Sequence, residues 1–278
     1  MNIDSHQHFW RYNPNEYGWI TEKMKVLQRD YLPADLEREM KLSGFDGSIA
    51  VQACHSIEET QWLLELADVY PFIKGVVGWV NLRSPDLDRR LSLFMSNNKF
   101  VGVRHIVQDE PNDEFLLRQD FINGIRRLQY YGLVYDIVIY PKQLPAAVRL
   151  AAEFPDMHFV LDHCAKPFIR NKVSSPWRED IRELAKCPNV FCKASGLVTE
   201  ANWEQWEFND FIPYLDIIFE AFGTERVMIG SDWPVCTLAG TYEDTMALVL
   251  QYIGKYSQDE QDLILGENAA VAYHIAPE

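Results

Sequence analysis

No run of eighteen apolar residues occurs anywhere in this chain, so a membrane-spanning helix is not expected. The opening stretch, MNIDSHQHFW, offers neither a basic leader nor an apolar core, and a secretory signal peptide is not expected either. Positive charge is scarce: 26 Lys+Arg face 41 Asp+Glu, a net charge of −15. That balance repels nucleic acid and anionic lipid, and leaves a small molecule as the expected partner. Cysteine is sparse and unpaired in pattern, with five residues (54, 164, 187, 192 and 236) and no CxxC. Scattered thiols in odd number suit a reducing compartment, so a cytoplasmic protein without disulfides or a zinc knuckle is expected. Missing too are a GxSxG elbow, a phosphate-cradling Walker loop, an HExxH helix and a glycine-rich dinucleotide turn.

What remains has ordinary globular composition, with 47% hydrophobic and 24% charged residues. Short apolar runs recur at 2–6, 47–53, 73–80, 100–105, 133–139, 158–163, 190–195 and 227–231. Most are continuous rather than alternating, as strands of a parallel sheet covered on both faces are. Amphipathic stretches separate them. Leu117, Phe121, Ile125 and Leu128 step by three or four, and so do Phe208, Phe211, Leu215, Ile218 and Phe222. Trp62, Leu63, Leu66, Ala67 and Tyr70 mark another helix. Pro33, Pro85, Pro141 and Pro176 fall near helix starts, and Gly44 and Gly132 follow helix ends. Eight strands alternating with helices over this length predict an α/β fold, a (β/α)8 TIM-type barrel forming a single domain over residues 1–278. No linker or repeat interrupts it. The longest stretches without periodicity, 9–31 and 164–175, follow strands one and six, on the side where barrels build their sites.

Four of the seven histidines end strands: His6 and His8 after strand one, His105 after strand four and His163 after strand six. Residues two apart on a strand share a face, so His6 and His8 suit either a divalent cation or a pair of hydrogen bonds. Asp232, in Gly230-Ser231-Asp232-Trp233-Pro234, adds a carboxylate that can take a proton from water. His163, Arg104 and His105 can polarise a carbonyl or hold an anion. Asp162 is expected to point away from His163 into the barrel packing. Lys166 and Lys193 are either site cations or solvated surface lysines. Trp10, Trp19 and Trp233 are either stacking faces for a sugar or packing anchors.

Five motifs together, DSHQHFW, GVRH, DHCAKP, KASGLVTEA and GSDWP, resemble the amidohydrolase superfamily and, within it, the amidohydrolase-2 branch of lactonases. GENAAVAY resembles that branch's closing helix. The resemblance implies an enzyme, a carboxylic ester hydrolase opening a sugar-acid lactone, with Asp232 activating water. His6, His8 and His163 then surround the substrate carbonyl or a metal, and Arg104 and His105 contact substrate. Strand five departs from the metal-dependent members of the superfamily. It reads Tyr135-Asp136-Ile137-Val138 and offers no imidazole. The expectation is therefore either no required cofactor or one divalent metal, zinc, on His6, His8 and Asp232. Asn81, Asp136, Tyr140 and Trp233 suit the hydroxyls and face of a neutral sugar ring. Arg104, with Lys166 or Arg83, would serve a charged pyrone dicarboxylate instead. A non-oxidative decarboxylase of an unsaturated or aromatic acid is the other alternative from the same branch.

Overall fold

The computed structural model describes residues 1–276. Eight parallel strands follow one another around a sheet ordered β1 to β8. They are β1 (Ile3–Gln7), β2 (Gly47–Val51), β3 (Ile73–Gly78), β4 (Phe100–Ile106), β5 (Val134–Val138), β6 (Phe159–Leu161), β7 (Val190–Ala194) and β8 (Val227–Ile229). The sheet closes on itself where Gln7 bridges Trp233 in parallel. Two backbone hydrogen bonds reinforce that seam, Asp232 N to His6 O at 2.8 Å and His8 N to Trp233 O at 2.7 Å. The expected (β/α)8 barrel is the fold observed.

Each strand feeds a helix on the outer ring: α1 (Pro33–Leu42), α2 (Ile57–Val69), α3 (Leu87–Phe94), α4 (Gln119–Tyr131), α5 (Leu144–Glu153), α6 (Trp177–Ala185), α7 (Phe208–Phe222) and α8 (Tyr242–Ile253). The apolar positions stepping by three or four in α2, α4 and α7 face inward: Leu63, Phe121, Ile125, Leu215 and Ile218 are buried. Pro33 opens α1, where its missing N–H costs nothing. Gly132 ends α4 in the left-handed region at φ 69°, which a side chain would resist.

Inside the barrel, the floor is apolar. Ile3, Ile49, Val77, Val134, Val160, Phe191 and Met228 pack with Ala269, Ala272 and Tyr273 from the C-terminal helical run (Gln258–Asp262, Leu263–Glu267, Asn268–Ala272). That run plugs the end of the barrel remote from the loops that follow the strands. Asn268 Nδ2 fastens it by donating to Thr224 O and Val227 O, each at 2.7 Å.

Two strands end earlier than their apolar runs. β6 stops at Leu161 because the chain turns into the left-handed region at His163, with φ near 50° through Lys166. β8 stops at Ile229, and Asp232 is itself at φ 57°. Both departures bend a polar side chain over the barrel mouth. The segment after β1 is not featureless: Trp10 pairs with Tyr31 and a short 3-10 helix spans Glu22–Leu27.

Candidate active site

At the C-terminal mouth of the strands, His6, His8, His163 and Asp232 converge. His6 Nε2 lies 3.2 Å from His8 Nε2, and Asp232 Oδ1 lies 3.3 Å from His8 Nε2. The same oxygen is 3.8 Å from both His6 Nε2 and His163 Nε2. All four residues are buried. Asp4 helps to hold the strand ends: its carboxylate accepts from Ser231 N at 2.8 Å, Ser231 Oγ at 2.6 Å and His6 N at 3.1 Å.

Second partners orient each imidazole. His8 Nδ1 donates to Val51 O at 2.7 Å, which leaves a lone pair on Nε2. His6 Nδ1 lies 3.2 Å from Asp162 Oδ1 and donates to it. His163 Nδ1 meets Ser195 Oγ at 2.9 Å. Neighbouring Gly196, at φ 61°, leaves room for that ring, since a Cβ there would lie 2.5 Å from His163 Nδ1. Burial holds the His6 imidazolium well below its ordinary range and pushes His163 down to about 4, so both rings are neutral near pH 7. Burial also raises the Asp232 carboxyl, but adjoining His163 and His8 more than offset it, and the net shift is downward. Asp232 is ionised at neutral pH.

Beneath this layer the barrel interior carries a buried charge network. Lys193 Nζ donates to Asp136 Oδ2 at 2.6 Å, pairs with Asp162 Oδ1 at 2.9 Å and lies 3.1 Å from His6 Nδ1. Arg104 Nη1 donates to Asp162 Oδ2 at 2.9 Å and approaches His6 Nε2 at 3.3 Å, and its Nη2 donates to Gln52 O. Two carboxylates thus face two cations, which is what makes complete burial of all four tolerable. Lys193 and Arg104, with the surrounding hydrogen bonds, hold Asp162 well below the usual carboxylate range despite its burial.

A cavity of about 420 Å³ opens above the cluster. His8, His163, Asp232 and Arg104 form its floor. Gln108, Asp109, Tyr140, Lys166 and Glu200 line it from the loops after β4 to β7. Trp19, Met24, Trp203, Val235 and Leu238 supply apolar surface, chiefly from the loops after β1 and β8.

Other side chains lie elsewhere. His105 stacks between His55 and Phe115, its Nε2 donating to Glu110 Oε1 at 2.7 Å, because it faces outward when neighbouring Arg104 faces inward. Asp136 is deep inside the barrel, spent on Lys193 and on Tyr273 Oη at 2.8 Å, and does not reach the cavity. Asn81 is exposed and accepts from Arg83 N. Trp233 and Trp10 pack edge-on against Tyr31 rather than offering a stacking face. Lys193 is no surface lysine but fully buried, while Asp162 does point inward, into the charge network rather than apolar packing. Sequence reasoning missed Glu200, Gln108 and Asp109. Glu200 stands inside the KASGLVTEA motif, seven residues past the inward-facing Lys193, which was the available signal.

His6, His8 and Asp232 could hold a metal ion. Two ring nitrogens and a carboxylate oxygen suit zinc, and the donation of each ring's other nitrogen to Val51 O or Asp162 is the support such ligands use. A second cluster, His6, Asp162 and His163, shares His6 and draws on a carboxylate already paired with Arg104 and Lys193.

The family model described as "Amidohydrolase" matches residues 3–275. The chain is 41% identical to an L-fucono-1,5-lactonase of Burkholderia multivorans, over 98% of this chain and 96% of that protein. It is 34% identical to an L-fucono-1,5-lactonase of Burkholderia ambifaria, over 99% and 96% respectively. A crystal structure of a Burkholderia multivorans amidohydrolase with bound zinc superposes with a TM-score of 0.96 at 40% identity, covering 99% of this chain and all of that one (100%).

Proposed function

The chain belongs to the amidohydrolase family, and from that premise we propose that it opens a neutral sugar-acid lactone to the free acid. The observation that carries this reading is the convergence of Asp232 Oδ1 on three histidine nitrogens at 3.3–3.8 Å beneath the cavity. A lactone carbonyl reacts with water only if a base takes the proton as the new bond forms. Asp232 is ionised, buried and at the cavity floor, and serves as that base. The oxyanion that develops needs donors already in place, and His163, 3.8 Å from Asp232, and the Arg104 guanidinium on the same cavity floor supply them. The proton held on Asp232 is then returned to the departing ring oxygen. An ester carbonyl is electrophilic and its alkoxide a better leaving group than an amine, so this set suffices for a lactone.

When His6, His8 and Asp232 hold a divalent ion, the chemistry it supplies is Lewis-acid polarisation of the carbonyl. Elemental analysis is expected to find at most one ion per chain. A count of two would contradict the assignment of Asp162 to Arg104 and Lys193.

Charge at the cavity favours a neutral ring over a dicarboxylate. Its two cations, Arg104 and Lys166, face the carboxylates of Asp109, Glu200 and Asp232, and Arg104 is already committed to Asp162. A panel of neutral aldono-lactones and a pyrone dicarboxylate, assayed by proton release with and without chelator, tests the reading. Turnover of a neutral lactone is expected. Carbon dioxide release from an aromatic acid, or turnover of the dicarboxylate alone, would sink it.

A further inference from the structure

Residues 163–166 form a turn that L-amino acids rarely adopt. His163, Cys164, Ala165 and Lys166 have φ of 53°, 51°, 56° and 52°, and Lys166 N donates to His163 O at 2.8 Å. Left-handed backbone is unfavourable for each of these side chains, and a buried run of them persists only where the surroundings impose it. The turn brings His163 and Lys166, three residues apart, to the lining of the same cavity. Across from Lys166 stands Glu200, from the 3-10 turn Val198–Glu200 after β7. Lys166 Nζ lies 3.9 Å from Glu200 Oε1. That is too long for a hydrogen bond. Surface ion pairs of this molecule stand closer, Lys186 with Glu183 at 2.6 Å, Lys41 with Glu37 at 2.7 Å, and Lys172 with Asp210 and Lys255 with Asp216 at 3.4 Å. Lys166 and Glu200 instead stop short, mostly shielded from solvent, and neither side chain has a hydrogen-bond partner among the described residues. Nearby Gln108 Oε1 is also buried without a partner.

We infer that Lys166 and Glu200 are specificity-determining residues that read the ring hydroxyls next to the lactone carbonyl, the ammonium donating to one hydroxyl oxygen and the carboxylate accepting from its neighbour. This rests on the lactonase reading above. A donor and an acceptor held slightly apart match two adjacent hydroxyls, each of which both donates and accepts. Sharing one turn with His163 puts Lys166 on the side of the cavity where the carbonyl is handled, which points to the hydroxyls at C2 and C3. Burial raises the Glu200 carboxyl, with Lys166 opposing the rise, as for a carboxylate short of donors until substrate arrives.

The test uses two aldono-lactones that differ only in configuration at C2. The wild-type protein is expected to favour one epimer by at least about tenfold in kcat/KM, because the disfavoured hydroxyl leaves buried polar groups unpaired. Glu200→Gln and Lys166→Met should each raise KM at least about tenfold, keep kcat within about fivefold, and bring the epimer ratio to within about threefold. An unchanged epimer ratio in both variants would overturn the inference, as would a fall in kcat with KM and ratio preserved. Should either variant not fold, Glu200→Asp and Lys166→Arg, read for the same ratio, decide it. A wild-type protein inert on every lactone would remove the lactonase reading itself, an outcome distinct from active variants that still discriminate.

Discussion

Asp232 is the residue on which the proposed chemistry turns, because it alone among the four converging side chains carries negative charge at neutral pH. Replacing Asp232→Asn keeps the shape and removes the base. Turnover on the preferred lactone should fall by about 10²–10⁴, the range for a positioned general base, while substrate binding changes far less. Retention of more than roughly a tenth of wild-type kcat would remove Asp232 from the mechanism. The convergence of Asp232, His163, His6 and His8 was legible because each follows a strand end in a fold that gathers those ends at one mouth. Asp136 and Lys193 were not, since composition alone treats lysine as a surface residue. Yet the parity was present: Val134, Asp136 and Val138 alternate on β5 as Phe191, Lys193 and Ser195 do from β7, and Arg104 pairs in register with Asp136. Opposite charges at inward positions of neighbouring strands are a readable sign of a buried network. His105 was misplaced by the same parity, one step out of phase with Arg104.

Between β2 and α2 the connecting backbone is tied down by one side chain. Glu59, in the first turn of α2, accepts from Ala53 N at 3.0 Å, Cys54 N at 3.1 Å and Tyr17 Oη at 3.1 Å. Burial pushes its carboxyl up to about 7, against hydrogen bonds that oppose the rise. A carboxyl raised in the folded state binds its proton more tightly there than in the unfolded chain. Stability from this group is therefore present below the ordinary value of 4.5 and declines as pH rises from there to about 7. Glu59→Gln keeps the acceptor for both N–H groups and cannot ionise. Its thermal midpoint should vary less than the wild type's between pH 5 and pH 8. An identical pH slope in both proteins would show that Glu59 does not titrate in that window. At this scale the sequence served well for helices: the three segments marked by apolar periodicity fall on α2, α4 and α7, with Leu117 and Tyr70 just outside, and the proline and glycine signals fall at or near helix ends. The loops did less well, because left-handed turns such as 163–166 contain no glycine to announce them.

Across the whole molecule, the interior charge network joins the reactive mouth to the apolar plug at the opposite end. Lys193 contacts Asp136 and Asp162, and Asp136 in turn accepts from Tyr273 of the C-terminal segment. Lys193→Met would strand the Asp136 carboxylate in the barrel, a loss of about 3–5 kcal/mol for one half of a buried pair. Burial already lifts Asp136 to about 6, so in the variant its proton is held still more tightly, and the loss should shrink toward pH 5. Adding Asp136→Asn to Lys193→Met should recover part of the stability by removing the orphaned charge. Chemical denaturation of the two variants at pH 5 and pH 8 measures both effects, and a double variant no more stable than the single would argue against the pairing.

The seam of the barrel lies between β1 and β8, where Asp232 N bonds His6 O and His8 N bonds Trp233 O. Three of those four residues, His6, His8 and Asp232, belong to the cluster proposed to react, and His163 joins it from the turn after β6. More than two hundred positions separate the two sides of that seam along the chain, a separation that makes such contacts slow to form. A ribosome must therefore emit residues through Pro234 before a competent centre can exist, and a refolding chain whose first seven strands have already paired is still inert. Recovery of lactone turnover would time barrel closure itself, a stopwatch that bulk secondary-structure signals do not provide.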